Sequence, residues 1–106
     1  LEITYPGKVE AEPDYNDIRL DLGKRRVIVE VKSDPRARYA IREALGQLLE
    51  YAFVSQAKGW PATEIVVAAP GEADGQVQEY LRYLCETRGL PIRYVPFRNE
   101  TESVDL

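Results

Sequence analysis

The sequence predicts an α/β fold in which a mixed central β-sheet is flanked by helices. Two runs of alternating or β-branched residues, at 17–22 and 27–32, stand next to each other and predict an antiparallel hairpin. Downstream, two segments with helical periodicity alternate with short apolar runs, which is typical of parallel strands joined by helical crossovers. The chain has 106 residues, so we expect a single domain that spans residues 1–106.

The hairpin is predicted from side-chain alternation. Ile18, Leu20 and Leu22 alternate with polar residues, and the second run, 27–32, is rich in β-branched residues that favour a buried strand. The polar stretch 23–26 between the runs is typical of a turn. A further short strand is expected at 8–12, and the cluster Pro13-Asp14-Tyr15-Asn16 predicts the turn that follows it.

A long helix is predicted from about residue 36 to residue 58. Asp34 is expected as its N-cap, Pro35 as its first residue and Gly59 as its stop. Gly46 lies inside it at a cost of roughly 1 kcal/mol relative to Ala. A close approach of a neighbouring backbone would explain this glycine, although tertiary context can also simply override helix propensity. The apolar stripe predicted to face the core consists of Ile41, Leu45, Leu48, Leu49, Ala52 and Phe53.

The second half of the chain alternates strand and helix. Residues 64–69 predict a buried strand, 73–88 a helix and 92–95 a last strand. Cys85 lies on the predicted helix, where we expect a small buried hydrophobic side chain. Residues 98–106 form a polar tail that we expect to be frayed.

Composition excludes several classes of active site. The chain has no histidine and one cysteine, which excludes Ser-His-Asp and Cys-His catalysis, histidine-ligated or multi-cysteine zinc and an internal disulfide. The longest nearly apolar run, 65–70, is too short to span a bilayer, and no secretory leader is seen. We therefore expect no membrane association and a cytoplasmic location. The first residue is not Met, so we expect a longer chain with further domains, from which an N-terminal helix is missing here.

Charge is distributed unevenly along the chain. The net charge is −4, yet residues 19–42 contain eight basic and three acidic residues, a net +5, which leaves −9 for the remainder. Such a basic zone favours a phosphate-binding face, although a solvated charged surface is equally compatible. Within it, Arg36, Arg38 and Arg42 follow the second strand of the hairpin, where they could hold phosphate groups.

Charged residues inside the predicted hairpin suggest a metal site. Glu30 and Lys32 are two apart on one strand, so their side chains leave the same face. Closure of the hairpin around 23–26 brings Asp17 near this pair, whereas Asp21, the rival candidate, should lie closer to the turn. Two carboxylates form a hard-oxygen site suited to Mg²⁺, and the carbonyl of Val31 could add a ligand. Lys32 would then orient the attacking water and neutralise charge on phosphorus.

The same triplet has a purely structural interpretation. Glu30 and Lys32 could satisfy each other at the rim of the sheet while Asp17 caps a turn. Glu-x-Lys triplets are common, so this spacing alone favours the structural interpretation.

The helix that follows carries a more specific pattern. Asp17, the triplet Glu30-Val31-Lys32 and the run Ile41-Arg-Glu-Ala-Leu-Gly-Gln-Leu-Leu-Glu-Tyr51 occur in the order seen in the PD-(D/E)xK nuclease superfamily, which the chain resembles over about residues 9–97. Gln47 and Tyr51 match the Q-x-x-x-Y motif of RecB-like members. The run also resembles a group of bacterial nuclease-like proteins.

The resemblance implies a restriction-endonuclease-like sandwich that hydrolyses DNA phosphodiesters, as an endonuclease in restriction, defence or repair. It implies that Asp17 and Glu30 hold Mg²⁺, for which Mn²⁺ can substitute, and that Lys32 is the catalytic lysine. By motif match, Gln47 and Tyr51 would lie beside the site, where they contact DNA or tune Lys32 and the metal. From the residues alone, they lie one turn apart at the margin of the apolar stripe, where they can reach the site without being buried or can simply form the polar flank of the helix. Arg36, Arg38 and Arg42 would bind the DNA phosphates that flank the scissile one.

The chain also departs from the family pattern. Asn16 stands where the family has a proline, and the helix that often precedes the first strand is missing. Glu12, and less so Glu10, could supply the extra acid that this helix brings in relatives. Two alternatives therefore stay open: a catalytically inactive nucleic-acid- or protein-binding module of the same fold, and a site completed by another chain, as in a homodimer.

Overall fold

The computed structural model describes the backbone of residues 2–4, 8–11, 17–98 and 103–105, and the side chains of residues 18–98. The described chain forms seven strands and two helices, the second of which ends in a π-helical segment. In chain order these are β1 (Glu2–Thr4), β2 (Lys8–Ala11), β3 (Asp17–Asp21), β4 (Arg26–Val31), α1 (Ala37–Ala57), β5 (Glu64–Ala69), α2 (Gly75–Arg82) with its π-helical continuation (Tyr83–Thr87), β6 (Ile92–Pro96) and β7 (Ser103–Asp105).

Five strands form the main sheet, in the order β2-β3-β4-β5-β6. β3 is antiparallel to both of its neighbours, β2 and β4, whereas β4, β5 and β6 are mutually parallel and are joined by α1 and α2. The predicted α/β fold with a mixed sheet is therefore confirmed. β1 and β7 pair in parallel as a separate two-stranded sheet, which the sequence did not predict because we expected a frayed tail after residue 98.

The hairpin has the predicted register. Asp17 pairs with Glu30 and Asp21 pairs with Arg26. The turn between the strands uses Gly23, whose φ is +83°, and its N–H donates a hydrogen bond to Asp21 Oδ1 at 3.1 Å. The turn predicted at residues 13–16 lies outside the described residues.

Both helices pack on one face of the sheet, because each crossover between neighbouring parallel strands has the same hand. The core on this face joins residues of α1 and α2 to Ile28, Ile65, Val67 and Ile92. The other face carries a second apolar cluster around Leu20, Val27, Val29 and Val66. Side chains of β4 alternate between the faces, so Glu30 shares the helical face with Ile28.

The buried side of α1 differs from the predicted stripe. Leu49 and Phe53 are 42% and 74% exposed, so the prediction for these two residues was wrong. Small side chains occupy the centre of the contact instead and let the helix lie close to the sheet, which a search for large apolar residues overlooks. The buried residues of α1 are Ala37, Ala40, Ile41, Ala44, Leu48, Tyr51 and Ser55.

The ends and the middle of α1 also correct the sequence analysis. Arg36, not Asp34, is the N-cap residue, and Pro35 precedes the helix because Asp34 Oδ1 instead accepts a hydrogen bond from Arg36 N at 2.9 Å. The stop at Gly59, with φ of +87°, is confirmed. Outside the helix's own adjacent backbone, no described atom lies within 4 Å of a Cβ placed on Gly46, so no backbone neighbour in the described part of the chain explains this glycine.

The second helix begins where Asp74 Oδ1 accepts a hydrogen bond from Val77 N at 2.9 Å. Cys85 in the π-helical segment is exposed, and its thiol donates to the carbonyl of Ile92 at 3.2 Å, so the expectation of a buried cysteine was wrong. The wider turn of a π-helix shifts side chains off the face that an α-helix would have buried. Neither helix in the described part of the chain is long and apolar enough to cross a membrane.

Candidate active site

Glu30 and Lys32 lie together at the carboxyl end of β4. Glu30 is only 4% exposed although it carries a carboxylate, and Lys32 Nζ lies 3.5 Å from its Oε1. Their spacing of two along the strand directs both side chains to the helical face. An acid this deeply buried requires polar partners, and the lysine ammonium is one of them.

Backbone hydrogen bonds of β4 show which kind of pair Glu30 forms with Asp17 on β3. Lys32 N donates to Ala68 O on β5, and Arg26 O accepts from Thr63 N on the same side. Backbone groups alternate along a strand, so those of Glu30 also point to β5. The pair Asp17–Glu30 is therefore a non-hydrogen-bonded pair of the β3–β4 ladder, the kind in which Cα atoms approach to about 4.5 Å.

The same alternation separates the two candidate aspartates. Asp21 lies opposite Arg26, four residues along β4 from Glu30, which corresponds to roughly 13 Å. Asp21 Oδ1 is engaged by the turn at Gly23. The predicted approach of Asp17, rather than Asp21, to Glu30 is thus confirmed for the backbone.

The carbonyl of Val31 points away from β5, because the neighbouring Lys32 N–H points toward it. It therefore points to the β3 side of β4, where the ladder ends at the pair Asp17–Glu30. A backbone oxygen and two acidic positions thus lie at one corner of the sheet. Oxygen donors of this kind suit a hard divalent cation such as Mg²⁺ or Mn²⁺.

No group of three or more His, Cys, Asp or Glu side chains was found among residues whose side chains the structure describes. Asp17 contributes only its backbone to that description, and Glu12 lies outside the described residues. Glu10 lies on β2, where its backbone pairs with that of Arg19 on β3, so β3 separates Glu10 from β4. A site made of two carboxylates and one carbonyl would hold fewer than three such side chains.

Helix α1 reaches the same corner through Gln47. Lys32 Nζ donates a hydrogen bond to Gln47 Oε1 at 2.6 Å, a contact between residues 15 positions apart. Gln47 itself is exposed and lies on the flank of α1 that borders the carboxyl end of β4. The predicted proximity of Gln47 to the Glu-x-Lys strand is confirmed.

Tyr51, one turn after Gln47, is 7% exposed and belongs to the core on the helical face of the sheet. The expectation that it would stay unburied was wrong. The alanines of α1 bring the helix close to the sheet, so that a residue at the margin of the stripe is covered. Its burial gives Tyr51 a packing role, whatever its hydroxyl contributes to the site.

A contact that the sequence analysis missed supports the loop after β4. A Cβ on Gly71, which follows β5, would lie 2.1 Å from the carbonyl oxygen of Pro35 and 3.0 Å from Ala37 N. Only glycine permits this approach. The Tyr94 hydroxyl donates a hydrogen bond to the Gly71 carbonyl. The segment that carries the chain from Lys32 to α1 is therefore held from β5 and β6.

The one sequence signal for this contact is a glycine placed directly after a predicted strand, which indicates a turn or a close approach but names no partner. Burial raises the pKa of Tyr94 to about 12, and the carboxylate of Glu72 adds to the effect. The hydroxyl therefore stays protonated, and able to donate, over the whole physiological range.

Basic residues of the zone 19–42 lie at both ends of β4. Arg25 precedes β4 and donates two hydrogen bonds to Glu64, at 2.6 and 3.0 Å, whereas the arginines after β4 lie at its other end. Hydrogen bonding by Arg25 lowers the pKa of the Glu64 carboxyl. Residues 24–26 of the zone therefore lie at the amino end of β4, and Lys32, Arg36 and Arg38 lie beyond its carboxyl end.

The three predicted DNA-binding arginines lie at the start of α1 and differ in their surroundings. Arg36 donates to both Asp34 oxygens, at 3.1 and 3.0 Å, and its guanidinium carbon lies 4.0 Å from the centre of the Tyr39 ring. The guanidinium of Arg38 lies 5.3 Å from the same ring. Hydrogen bonding by Arg36 lowers the pKa of the Asp34 carboxyl. Arg42 is exposed on the outer side of α1.

A scan against protein-family models and searches of curated proteins and of solved structures found no match to this chain. The comparisons therefore identify no family. What the structure does establish is a mixed α/β fold in which Lys32 contacts Glu30 and Gln47, and in which the backbone of residue 17 pairs with that of residue 30.

Proposed function

We propose that this chain is a metal-dependent DNA-cleaving domain of the PD-(D/E)xK type with a restriction-endonuclease-like fold. The observation that carries the proposal is the position of the Lys32 ammonium, 2.6 Å from Gln47 Oε1 and 3.5 Å from Glu30 Oε1. The pairing of Asp17 with Glu30 adds a second acid at the same place. The contacts of Lys32 with Glu30 and Gln47, together with the backbone position of Asp17, support the order and spacing of motif residues that the resemblance implies.

The carboxylates of Asp17 and Glu30 and the carbonyl of Val31 are the groups we assign to Mg²⁺ or Mn²⁺. When bound, such an ion lowers the pKa of a coordinated water and stabilises negative charge on the phosphate. The burial of Glu30 fits this assignment, because a nearly water-free carboxylate holds a hard cation more strongly than an exposed one.

Lys32 is the residue we assign to the reacting phosphate. In hydrolysis a water oxygen bonds to phosphorus, the bond to the leaving oxygen breaks, and the leaving oxygen gains a proton. An ammonium has three N–H donors. One donates to Gln47 Oε1, and the Glu30 carboxylate lies 3.5 Å away as an ion-pair partner. A further N–H can orient the water or stabilise charge on a phosphate oxygen. Gln47 acts as a positioning residue that fixes the ammonium.

DNA would enter along the start of α1, where Arg36 and Arg38 follow Lys32 within six residues. The Asp34 carboxylate fixes the guanidinium of Arg36 in one orientation while leaving it exposed. A pre-oriented arginine suits the phosphates that flank the scissile one. That the substrate is DNA follows from the resemblance alone.

The second candidate is an inactive binding module of the same fold. The observation that favours it is that Lys32 is already paired with Glu30 and Gln47, as a purely structural lysine would be. Such a module would bind nucleic acid or protein without any requirement for a divalent ion.

Cleavage of supercoiled and linear DNA in Mg²⁺, Mn²⁺ or EDTA separates the two candidates. We expect metal-dependent cleavage that Lys32→Ala abolishes and Lys24→Ala leaves intact, because Lys24 is exposed in the hairpin turn at the far end of β4. Asp17→Asn should be inactive, and Asp21→Asn, which keeps the acceptor for the Gly23 N–H, should be active. DNA binding without cleavage by the wild type, unchanged in EDTA and in Glu30→Gln, would favour the inactive module.

A further inference from the structure

The side of α1 that faces away from the sheet carries an unusual set of residues. Leu49 and Phe53, one turn apart, are 42% and 74% exposed, although both are large and apolar. Gly46 lies one turn before Glu50 on the same side, opposite the buried residues Ala37 and Ser55. We call this surface, made of Arg42, Gly46, Leu49, Glu50 and Phe53, the outer face of α1.

Nothing in the described part of the chain accounts for Gly46. A Cβ would meet no atom there, and its φ is not positive, so Ala would be preferred by roughly 1 kcal/mol. Glycine in the middle of a helix is useful where another backbone must approach closely. That backbone would have to come from outside the described chain, on the side where Leu49 and Phe53 are exposed.

The residues before Gly46 in α1 are complementary in charge and aromatic character to those at equal distances after it. Arg42 and Glu50 lie four positions before and after it, and Tyr39 and Phe53 lie seven positions before and after it. We propose that the outer face of α1 is the interface of a symmetric homodimer whose two-fold axis passes beside Gly46. Two antiparallel copies of α1 related in this way bring each residue before Gly46 beside its counterpart after Gly46 in the other copy.

In this arrangement opposite charges meet twice. Arg42 lies beside Glu50 of the partner subunit, and the symmetry repeats the pair on the other side of the axis. Within one chain the two residues are about 12 Å apart along the helix, too far to pair. Neither forms an ion pair with a described residue, so both are available.

The apolar residues are covered by the same arrangement. Phe53 lies beside Tyr39 of the partner subunit, a pairing of aromatic rings, and Leu49 lies against the methylene groups of the partner's Glu43. The missing side chain at Gly46 allows the two helix axes to approach. The match of charge, of aromatic residues and of the glycine about a single point favours a second copy of this chain over an unrelated protein.

One helix face is smaller than the about 800 Å² per partner of a standard interface, so the dimer should be weak. Sedimentation velocity from about 10 µM to about 1 mM covers the dissociation constants of such dimers. We expect a concentration-dependent shift from monomer to dimer that high salt reduces. A strictly monomeric protein at the highest concentration would overturn the proposal.

Charge reversal tests the geometry. Arg42→Glu and Glu50→Arg should each be monomeric, because each places like charges together twice. An equimolar mixture of the two variants restores both opposite-charge contacts and should dimerise, as should the double variant. Arg88→Glu makes the same change of charge at an exposed residue directly after the π-helical segment, and this variant should dimerise like the wild type. Dimers in both single variants, or none in the mixture, would refute the interface.

Gly46→Leu tests the axis independently of charge. Leucine is a better helix former than glycine, so the monomer should be at least as stable, yet its side chain would separate the two helices. We expect loss of the dimer with an unchanged or higher melting temperature. A dimer of undiminished affinity would show that Gly46 does not lie at the interface. These outcomes do not depend on DNA cleavage, so the dimer and the proposed function can fail separately.

Discussion

Lys32 Nζ and Gln47 Oε1 lie 2.6 Å apart, and this contact links the carboxyl end of β4 to the middle of α1. The amide oxygen accepts one N–H of the ammonium, while the Glu30 carboxylate lies on another side at 3.5 Å. The lysine side chain is a flexible four-carbon chain, so these two contacts restrict the position of its ammonium far more than the chain itself does. We infer that α1 determines where the charge of Lys32 is presented.

Gln47→Ala should therefore reduce DNA cleavage by roughly 10- to 100-fold, the range typical of residues that position a catalytic group. Initial rates of plasmid nicking in Mg²⁺ measure the effect, and the loss should lie in kcat rather than KM, because Gln47 holds Lys32 and not the substrate. The matched control is Gln56→Ala, an exposed glutamine later on α1. Equal rates for both variants would contradict a positioning role.

Gly71→Ala should destabilise the fold, because the added Cβ would meet the carbonyl oxygen of Pro35 at 2.1 Å. The atom in the way belongs to the backbone, so the loop must shift, and we expect a loss of about 1–3 kcal/mol in the free energy of unfolding. Urea denaturation monitored by circular dichroism measures it. A urea unfolding midpoint of the variant equal to that of the wild type would mean that the loops after β4 and β5 do not pack as described.

Gly46→Ala should have the opposite effect on stability. Its Cβ would enter open space on a regular helix, so the variant gains about 0.4–1 kcal/mol, chiefly because the unfolded chain becomes less flexible. The measurement is the same urea titration, made at a concentration at which the protein is monomeric. Destabilisation would indicate that the outer face of α1 is covered within the monomer.

The raised pKa of Tyr94 leads to a prediction of how the free energy of unfolding changes at high pH. Its pKa is raised from 10.0 in the unfolded chain to about 12 in the folded protein. The folded state therefore binds the phenolic proton more tightly than the unfolded chain does. The stability that the protonated Tyr94 contributes is complete below pH 10 and is lost as the pH rises from 10 to about 12. The free energy of unfolding should fall over this interval, measured by urea denaturation at each pH.

Tyr94→Phe is the control for this dependence. Phenylalanine cannot ionise, so the part of the decline that Tyr94 causes should disappear in the variant. Its stability at neutral pH should be lower by about 1 kcal/mol, because the carbonyl of Gly71 loses its donor. An identical pH profile in the two proteins would mean that Tyr94 titrates like an exposed tyrosine.

The sequence predicted the hairpin and its register well, because two strands joined by a short turn allow few pairings. Asp17 opposite Glu30 followed from that constraint. The sequence predicted poorly which residues of α1 are exposed. Three alanines and a serine are among the residues that face the core, whereas Leu49 and Phe53 are exposed. Burial there depends on the distance between helix and sheet, which the pattern of large apolar residues does not encode.

The contact of Gly71 with Pro35 could not be predicted for a related reason. The two residues lie 36 positions apart, after two adjacent parallel strands, and the contact depends on how both strands end. Local propensities indicate a turn at each place but say nothing about which loops meet. The contact between Lys32 and Gln47, by contrast, was anticipated through the motif that joins them.

The most direct test of the account is the anomalous scattering of a crystal of this protein soaked in Mn²⁺. We predict a peak between the carboxylates of Asp17 and Glu30, about 2.2 Å from their oxygens and from the Val31 carbonyl, with the Lys32 ammonium adjacent to it. The peak should be absent from crystals of Glu30→Gln. A map with no peak at this corner of the sheet, or with the ion bound elsewhere, would contradict the assignment of a nuclease site.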